Sequence, residues 1–297
     1  MNWLGRLKDI SHIAALKDRL EKLEDNNAEL KTENASLGEE LSNAREEMQR
    51  YREIADAARE ASAQAQISRT LPHGAELFQD INRLLPNFQA EVVFDVGANT
   101  GQSTEEFLKW FPESRIYCFE PVSSTFASLQ ETVRPFSRVE CFQLAMGAAQ
   151  GVGRIPLQGS PLMYTLKHIP EEPPIAVDAQ IENVRIETIA DFCHGAGIER
   201  ISLLKIDTEG YDLEVLKGAE NMLDEGSIDV LEVEAGMHPL NPRHVPLEEF
   251  KQYLESKKYF LFGMYEQMHE WTTGEPHLRR LNPVFISAHV REMNRRR

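Results

Sequence analysis

Short apolar runs alternate with helix-length amphipathic stretches from about residue 90 almost to the C-terminus, and this alternation restricts the fold of the 297-residue chain most tightly. Glu91–Val96 (EVVFDV), Ile116–Glu120 (IYCFE), Cys141–Leu144, Ile201–Ile206 (ISLLKI) and Ile228–Val233 read as buried strands. Helices are expected over Thr104–Phe111, around Phe126, Leu129 and Val133, over Ile186–Cys193, over Asp212–Lys217 with Gly218 as the stop, and over Leu247–Leu254. Repeated βα units predict an α/β fold, a mostly parallel, doubly wound sheet. Tyr259–Phe262 and Val284–Ser287 have no helix between them and predict an antiparallel pair on one edge of that sheet.

Doubly wound sheets bind ligands at the carboxyl ends of their strands. The first strand ends in Asp95-Val96-Gly97-Ala98-Asn99-Thr100-Gly101. Gly97 and Gly101 remove side chains where backbone must approach a ligand, and Asp95 offers a carboxylate suited to the ammonium of an amino-acid-like group. A dinucleotide loop would carry a second glycine where Asn99 stands, and an acid just before the turn would repel a pyrophosphate. A plain tight turn is the other reading. Glu120 closes the second strand, where a carboxylate can accept hydrogen bonds from both hydroxyls of a ribose. Ala145, Met146 and Gly147 are small or soft enough to flank an adenine, and suit ordinary core packing equally.

The densest polar stretch is Lys205-Ile206-Asp207-Thr208-Glu209-Gly210-Tyr211-Asp212, at the end of the fourth strand. Three carboxylates in six residues repel one another, which favours a functional role over a purely structural one. Asp207 is expected at a reacting centre, with Glu209 or Asp212 orienting it. The spacing gives no support for a metal held by Asp207, Glu209 or Glu234. His238, just past the fifth strand, joins Asp207 and Glu209 as a candidate to accept a proton. Gly159–Lys167, containing Tyr164, is expected to cover the acceptor or to be a surface excursion. Asn282-Pro283 lacks the second proline of the motif of DNA amino-group methyltransferases and is set aside.

With FDVGANTGQS, Glu120-Pro121, LLKIDTEGYD, VLKGA and LEVE in view, the stretch from Val92 to Ser287 resembles the FkbM-type S-adenosylmethionine-dependent methyltransferases. The resemblance implies a class I methyltransferase (Rossmann-like) fold and methyl transfer to hydroxyls of sugars or natural products. It implies that Asp95, Gly97, Asn99, Gly101 and Glu120 line a cofactor site for S-adenosylmethionine, and that Asp207 sits beside the transferred methyl. A nucleotide-dependent oxidoreductase and a non-catalytic scaffold that keeps the fold are the rival classes.

Residues 1–60 lie outside that resemblance and read as a coiled coil, followed by a linker over 61–75 and a catalytic domain over 76–297. Counting Ile13 as position a, the a series is Ile13, Leu20, Asn27, Asn34, Leu41, Met48 and Ala55. The d series is Leu16, Leu23, Leu30, Leu37, Ala44, Tyr51 and Ala58. Leucine at d with asparagine at a favours a parallel homodimer over a trimer. The g–e pairs Arg19–Glu24, Glu40–Arg45 and Glu47–Arg52 are all attractive across such a dimer.

A net charge of −16 argues against a phosphate backbone as partner, since nucleic-acid binders cluster Lys and Arg. A small-molecule or glycan acceptor fits. Cys118, Cys141 and Cys193 are too few and too irregularly spaced for a disulfide framework or a zinc site. Without a signal-peptide pattern or an apolar run of spanning length, the expected location is the cytoplasm. Trp3, Leu4, Leu7 and Ile10, interleaved with Arg6 and Lys8, leave open a peripheral membrane contact, and the coiled coil one with a glycan-assembly complex.

Overall fold

The computed structural model describes residues 71–157, 160, 164–166, 180–238, 241, 243–270 and 274–295, with scattered positions between 17 and 50. Those scattered positions are helical and exposed. The coiled coil, its dimer pairing and most of the linker lie outside the described residues. The chain divides into two compact units, residues 1–70 and 71–297. Among the described residues, no helix is long and apolar enough to cross a membrane.

The second unit begins with α1 (Leu77–Leu84), β1 (Val92–Val96), α2 (Gln102–Trp110), β2 (Arg115–Phe119), α3 (Ser123–Val133) and β3 (Val139–Phe142). Next come β4 (Ala145–Met146), β5 (Gly151–Pro156), β6 (Ile181–Glu187), α4 (Ile189–Ala196), β7 (Ile201–Ile206), α5 (Asp212–Lys217), α6 (Glu220–Asp224) and β8 (Ile228–Glu232). It closes with β9 (Ala235–Gly236), β10 (Val245–Pro246), α7 (Leu247–Ser256), β11 (Tyr259–His269), β12 (Leu278–Ser287) and α8 (Ala288–Met293).

The main sheet has the order β10-β9-β12-β8-β7-β1-β2-β3, with β11 paired to β12. β1 lies parallel to both β2 and β7, so the chain leaves on one side of β1 and returns on the other. That reversal is the switch point at which doubly wound sheets hold ligands. β12 runs antiparallel to β8 and to β11, with Phe285 opposite both Leu231 and Leu261. The expected antiparallel pair is therefore present, but only β11 is an outer strand and β12 lies inside the sheet.

One expectation needs correction. The helix read over Ile186–Cys193 begins at Ile189, where the Thr188 hydroxyl caps it by accepting from Asp191 N at 3.0 Å. The residues before it form β6, antiparallel to β5 and parallel to β4 in a separate three-stranded sheet. The third strand also sits two residues earlier than expected, over Val139–Phe142.

Helices cover both faces of the parallel strands, so these strands are apolar on both sides. Val93, Ile116, Leu203 and Val230 pack on one face with Phe78 and Phe107. Phe94, Phe119, Leu204, Leu231 and Phe285 pack on the other with Phe250. Phe94 is fully buried, with its ring centroid 5.2 Å from Phe119, 5.3 Å from Tyr117 and 5.8 Å from Phe192. Truncating it leaves a cavity that rigid strands cannot close, so Phe94→Ala is expected to lose about 3–5 kcal/mol of stability in urea titration. A loss below about 1 kcal/mol would show that the core does not rest on this cluster.

Candidate active site

The site is assembled where the ends of β1, β2 and β7 meet. After Val96 the chain turns at Gly97 (φ 82°), whose N–H donates to Phe119 O at 2.9 Å, and Ala98 N donates to the same oxygen at 3.1 Å. Asp207 N donates to Val96 O at 2.9 Å, which draws the end of β7 against this turn. The approach is so close that a Cβ on residue 97 would stand 1.9 Å from Asp207 O. Asn99 (φ 49°) and Gly101 (φ 100°) complete the left-handed path into α2.

Glu120 projects from the end of β2. Its Oε2 accepts from Asn99 N at 3.1 Å and its Oε1 from Val122 N at 2.9 Å, which fixes the carboxylate beside the glycine turn. Burial, reinforced by Glu182 and Asp95, pushes its carboxyl up to about 7 against those two hydrogen bonds.

A cavity of about 300 Å³ opens over these elements. One part is apolar, lined by Val122, Leu144, Ala145, Met146, Ile155, Tyr164 and Leu166. The other is charged, lined by Lys205, Asp207, Glu209, Glu234 and Arg280. Gly97, Asn99 and Glu120 also line it. The Thr165 hydroxyl donates to Thr208 O at 3.2 Å, tying the segment that carries Tyr164 to the loop after β7.

The charged part is organised around Lys205, whose Nζ lies 2.8 Å from Asp207 Oδ2. Burial works against its ammonium, but Asp207, Asp95 and Glu232 outweigh that and hold it above the ordinary lysine range. Burial would likewise raise Asp207, yet Lys205 overcomes it and keeps that carboxyl below the usual range. Glu209, held at φ 53°, is pushed up to about 7 by burial and by Glu234 and Asp207. Asp212 is buried beneath the loop. It accepts from Thr208 Oγ1 at 2.9 Å and Gly210 N at 3.2 Å, so it shapes the loop.

The structure brings together Gly97, Asn99, Glu120, Ala145, Asp207 and Glu209 around one cavity. Asp95 stands elsewhere: it is fully buried, does not line the cavity, and its Oδ2 accepts from Thr104 Oγ1 at 2.7 Å. Gly101 likewise acts through the turn and not through the lining. His238 is also outside the lining, stacked on His277 with ring centroids 4.3 Å apart. Sequence reasoning gave no role to Arg280, which closes on Glu234, or to Arg243 and His244 behind Glu209 and Glu234.

The family described as the methyltransferase FkbM domain matches residues 95–261, more than half of the chain. The chain belongs to the FkbM methyltransferase family. Among curated relatives, 2-O-methyltransferase NoeI of Sinorhizobium fredii is 27% identical over 144 residues, 44% of this chain and 58% of that protein. Hexuronic acid methyltransferase AglP of Haloferax volcanii is 28% identical over 172 residues, 54% of this chain and 64% of that protein. The chain thus spans about three fifths of these relatives' length. Among solved structures, Aeropyrum pernix fibrillarin in complex with S-adenosyl-L-methionine aligns over 68% of each chain at 12% identity and a TM-score of 0.40, too loose a likeness to bear on fold or ligand.

In this FkbM domain the Gly97 contact is the tightest point of the site. Gly97→Ala adds a methyl group against the Asp207 carbonyl at an unfavourable φ, and is expected to cost about 3 kcal/mol or more in chemical denaturation. Gly195→Ala, in α4 with nothing within 4 Å of the added methyl, is the matched control and should stabilise by about 0.4–1 kcal/mol. Equal effects from the two changes would show that the apposition is not tight.

Proposed function

We propose that this chain is an S-adenosylmethionine-dependent methyltransferase acting on a hydroxyl of a sugar or other polyhydroxylated acceptor. The observation that carries the reading is the Glu120 carboxylate, fixed between the glycine turn and an apolar slot in a cavity whose other part is lined by acids and bases. Its chemistry fits a nucleoside: the slot lined by Val122, Leu144, Met146 and Ile155 suits a purine, and Glu120 suits the two ribose hydroxyls. S-adenosylmethionine, when bound, supplies a methyl group on a positively charged sulfur.

The rest falls to the chain's own side chains. Lys205 holds the Asp207 carboxylate in place, and Asp207 and Glu209 are the carboxylates placed to take the proton of an acceptor hydroxyl. Methyl transfer is an in-line displacement, so positioning by this rigid loop supplies much of the rate. NoeI, whose name describes methyl transfer to an oxygen, and AglP, whose name describes methyl transfer to a hexuronic acid, support a hydroxylated, glycan-type acceptor for this chain.

Titration calorimetry with S-adenosylhomocysteine tests the cofactor. Glu120 accepts from both ribose hydroxyls far better when ionised, and its carboxyl is pushed up to about 7 by burial. Affinity should therefore be full at pH 8 and fall toward pH 6, by at most about tenfold per unit. Glu120→Gln should weaken binding at least about tenfold at pH 8 and flatten the pH response. Tight NAD binding with none of S-adenosylhomocysteine would sink the reading.

The seven-residue repeat of residues 13–58 supports a parallel homodimer. The full chain should then sediment at twice its 33.9 kDa mass, and residues 71–297 alone at the mass of one unit. A full chain that sediments as a single copy at micromolar concentration would overturn this.

A further inference from the structure

Behind the charged part of the cavity, three metal-ligating side chains from different elements converge. Glu209 comes from the loop after β7, Glu234 from the end of β8, and His244 from the approach to β10. One donor atom from each lies within 4.8 Å of the others. His244 Nε2 is 2.7 Å from Glu234 Oε2 and 3.8 Å from Glu209 Oε2.

Two further observations bear on what such a cluster holds. Glu234, with a side chain 5% exposed, keeps its Oε2 buried without a hydrogen bond, although His244 Nε2 is only 2.7 Å away. The two atoms are close but not aimed at each other as donor and acceptor, which is the arrangement of lone pairs directed at a shared third point. Second, Glu234 and His244 are each also held from outside the cluster, while Arg243 Nη1 lies 3.5 Å from Glu209 Oε2 itself. Arg280 closes on the other oxygen of Glu234. Asn241 flanks His244 Nδ1, its Oδ1 at 3.2 Å and its Nδ2 at 2.9 Å. Of the two tautomers these contacts allow, the one with its proton on Nδ1, donating to Oδ1, leaves Nε2 as a bare lone pair, the form in which imidazole binds metals.

We propose that Glu209, Glu234 and His244 form a divalent-cation site at the acceptor side of the cavity. Ligands roughly 2.1 Å from a common ion stand roughly 3.0–4.2 Å apart, a range that includes the His244–Glu209 separation and needs Glu234 to withdraw by a few tenths of an ångström. Two carboxylates and one imidazole suit Mn²⁺ or Zn²⁺ better than Mg²⁺, which favours all-oxygen shells. Glu209 and Glu234 both line the cavity, so the ion's open positions face it and can take two neighbouring hydroxyl oxygens of the acceptor. Oxygen bound to a divalent cation gives up its proton more readily, which deepens the methyltransferase reading on which this site rests. The acceptor class that follows is a vicinal diol, in which one oxygen anchors and the other reacts.

The test uses the full chain, freed of metal by chelation and titrated with Mn²⁺ while the signal of free Mn²⁺ is followed by electron paramagnetic resonance. One Mn²⁺ should bind per chain, and Zn²⁺ should displace it. Glu234→Gln and the less buried Glu209→Gln should each weaken Mn²⁺ at least tenfold, with S-adenosylhomocysteine binding retained as evidence of folding. No uptake of Mn²⁺ by a chain that binds S-adenosylhomocysteine, or uptake unchanged in Glu209→Gln, would overturn the cation site alone. Failure to bind S-adenosylhomocysteine would instead overturn the reading of the cofactor.

Discussion

The site depends on one backbone contact, the seating of the Asp207 carbonyl where residue 97 has no side chain. The bond from Asp207 N to Val96 O extends the β1–β7 ladder one step past the regular strands, so the loops after both strands share a floor. A side chain at position 97 would force them apart. With the two loops in contact, Glu120, held by Asn99 N, stands on one side of the turn and the acids after β7 stand on the other. The geometry of an entire cavity thus follows from an absent methyl group.

That arrangement concentrates negative charge where water is scarce. Asp95, Asp212, Glu120 and Glu232 are all buried, and burial is the first cause of the raised carboxyl of each. Lys205 is the counterweight. It sits on the strand facing β1, one residue from the chain end of β7, and its ammonium acts on Asp95, Asp207 and Glu232 at once. Buried charge survives when paired and is costly when a partner is removed. The lysine is therefore as much a part of the floor as the glycine, and the loop after β7 keeps its acids because that ammonium stands beneath them.

Much of this was legible in the sequence because the signals are local. FDVGANTG and LLKIDTEGYD each carry a strand, a turn and polar residues in one stretch, and βα alternation places both stretches at the same sheet edge. What stayed hidden is non-local. β6 reads IENVRIE, too short and too polar to separate from the helix behind it, and it exists because β5 pairs with it across residues 157–180. Asp95 looked like a ligand contact because it precedes the turn, but strand alternation points it inward to Thr104. In sequence His238 stands out as the histidine just past the fifth strand, and nothing marks His244. Only tertiary packing stacks the first on His277 and turns the second toward Glu234.

The two parts of the cavity also differ in where they come from. The apolar slot and Glu120 come from the ends of β1 and β2 together with β4 and β5 of the separate three-stranded sheet. The charged part is completed by Glu234, His244 and Arg280, from the corner where β9, β10 and the antiparallel β12 meet. Arg280 lies beyond residue 261, past the end of the family match. An inserted antiparallel strand can shift its register or change its loops without disturbing the β1–β7 floor, because its ladder to β8 covers only Val284–Ile286. Such a division separates the geometry proposed to hold the cofactor from the residues proposed to meet the acceptor. By that reading the acceptor meets the loop after β7 together with the residues after β8, and not the glycine loop.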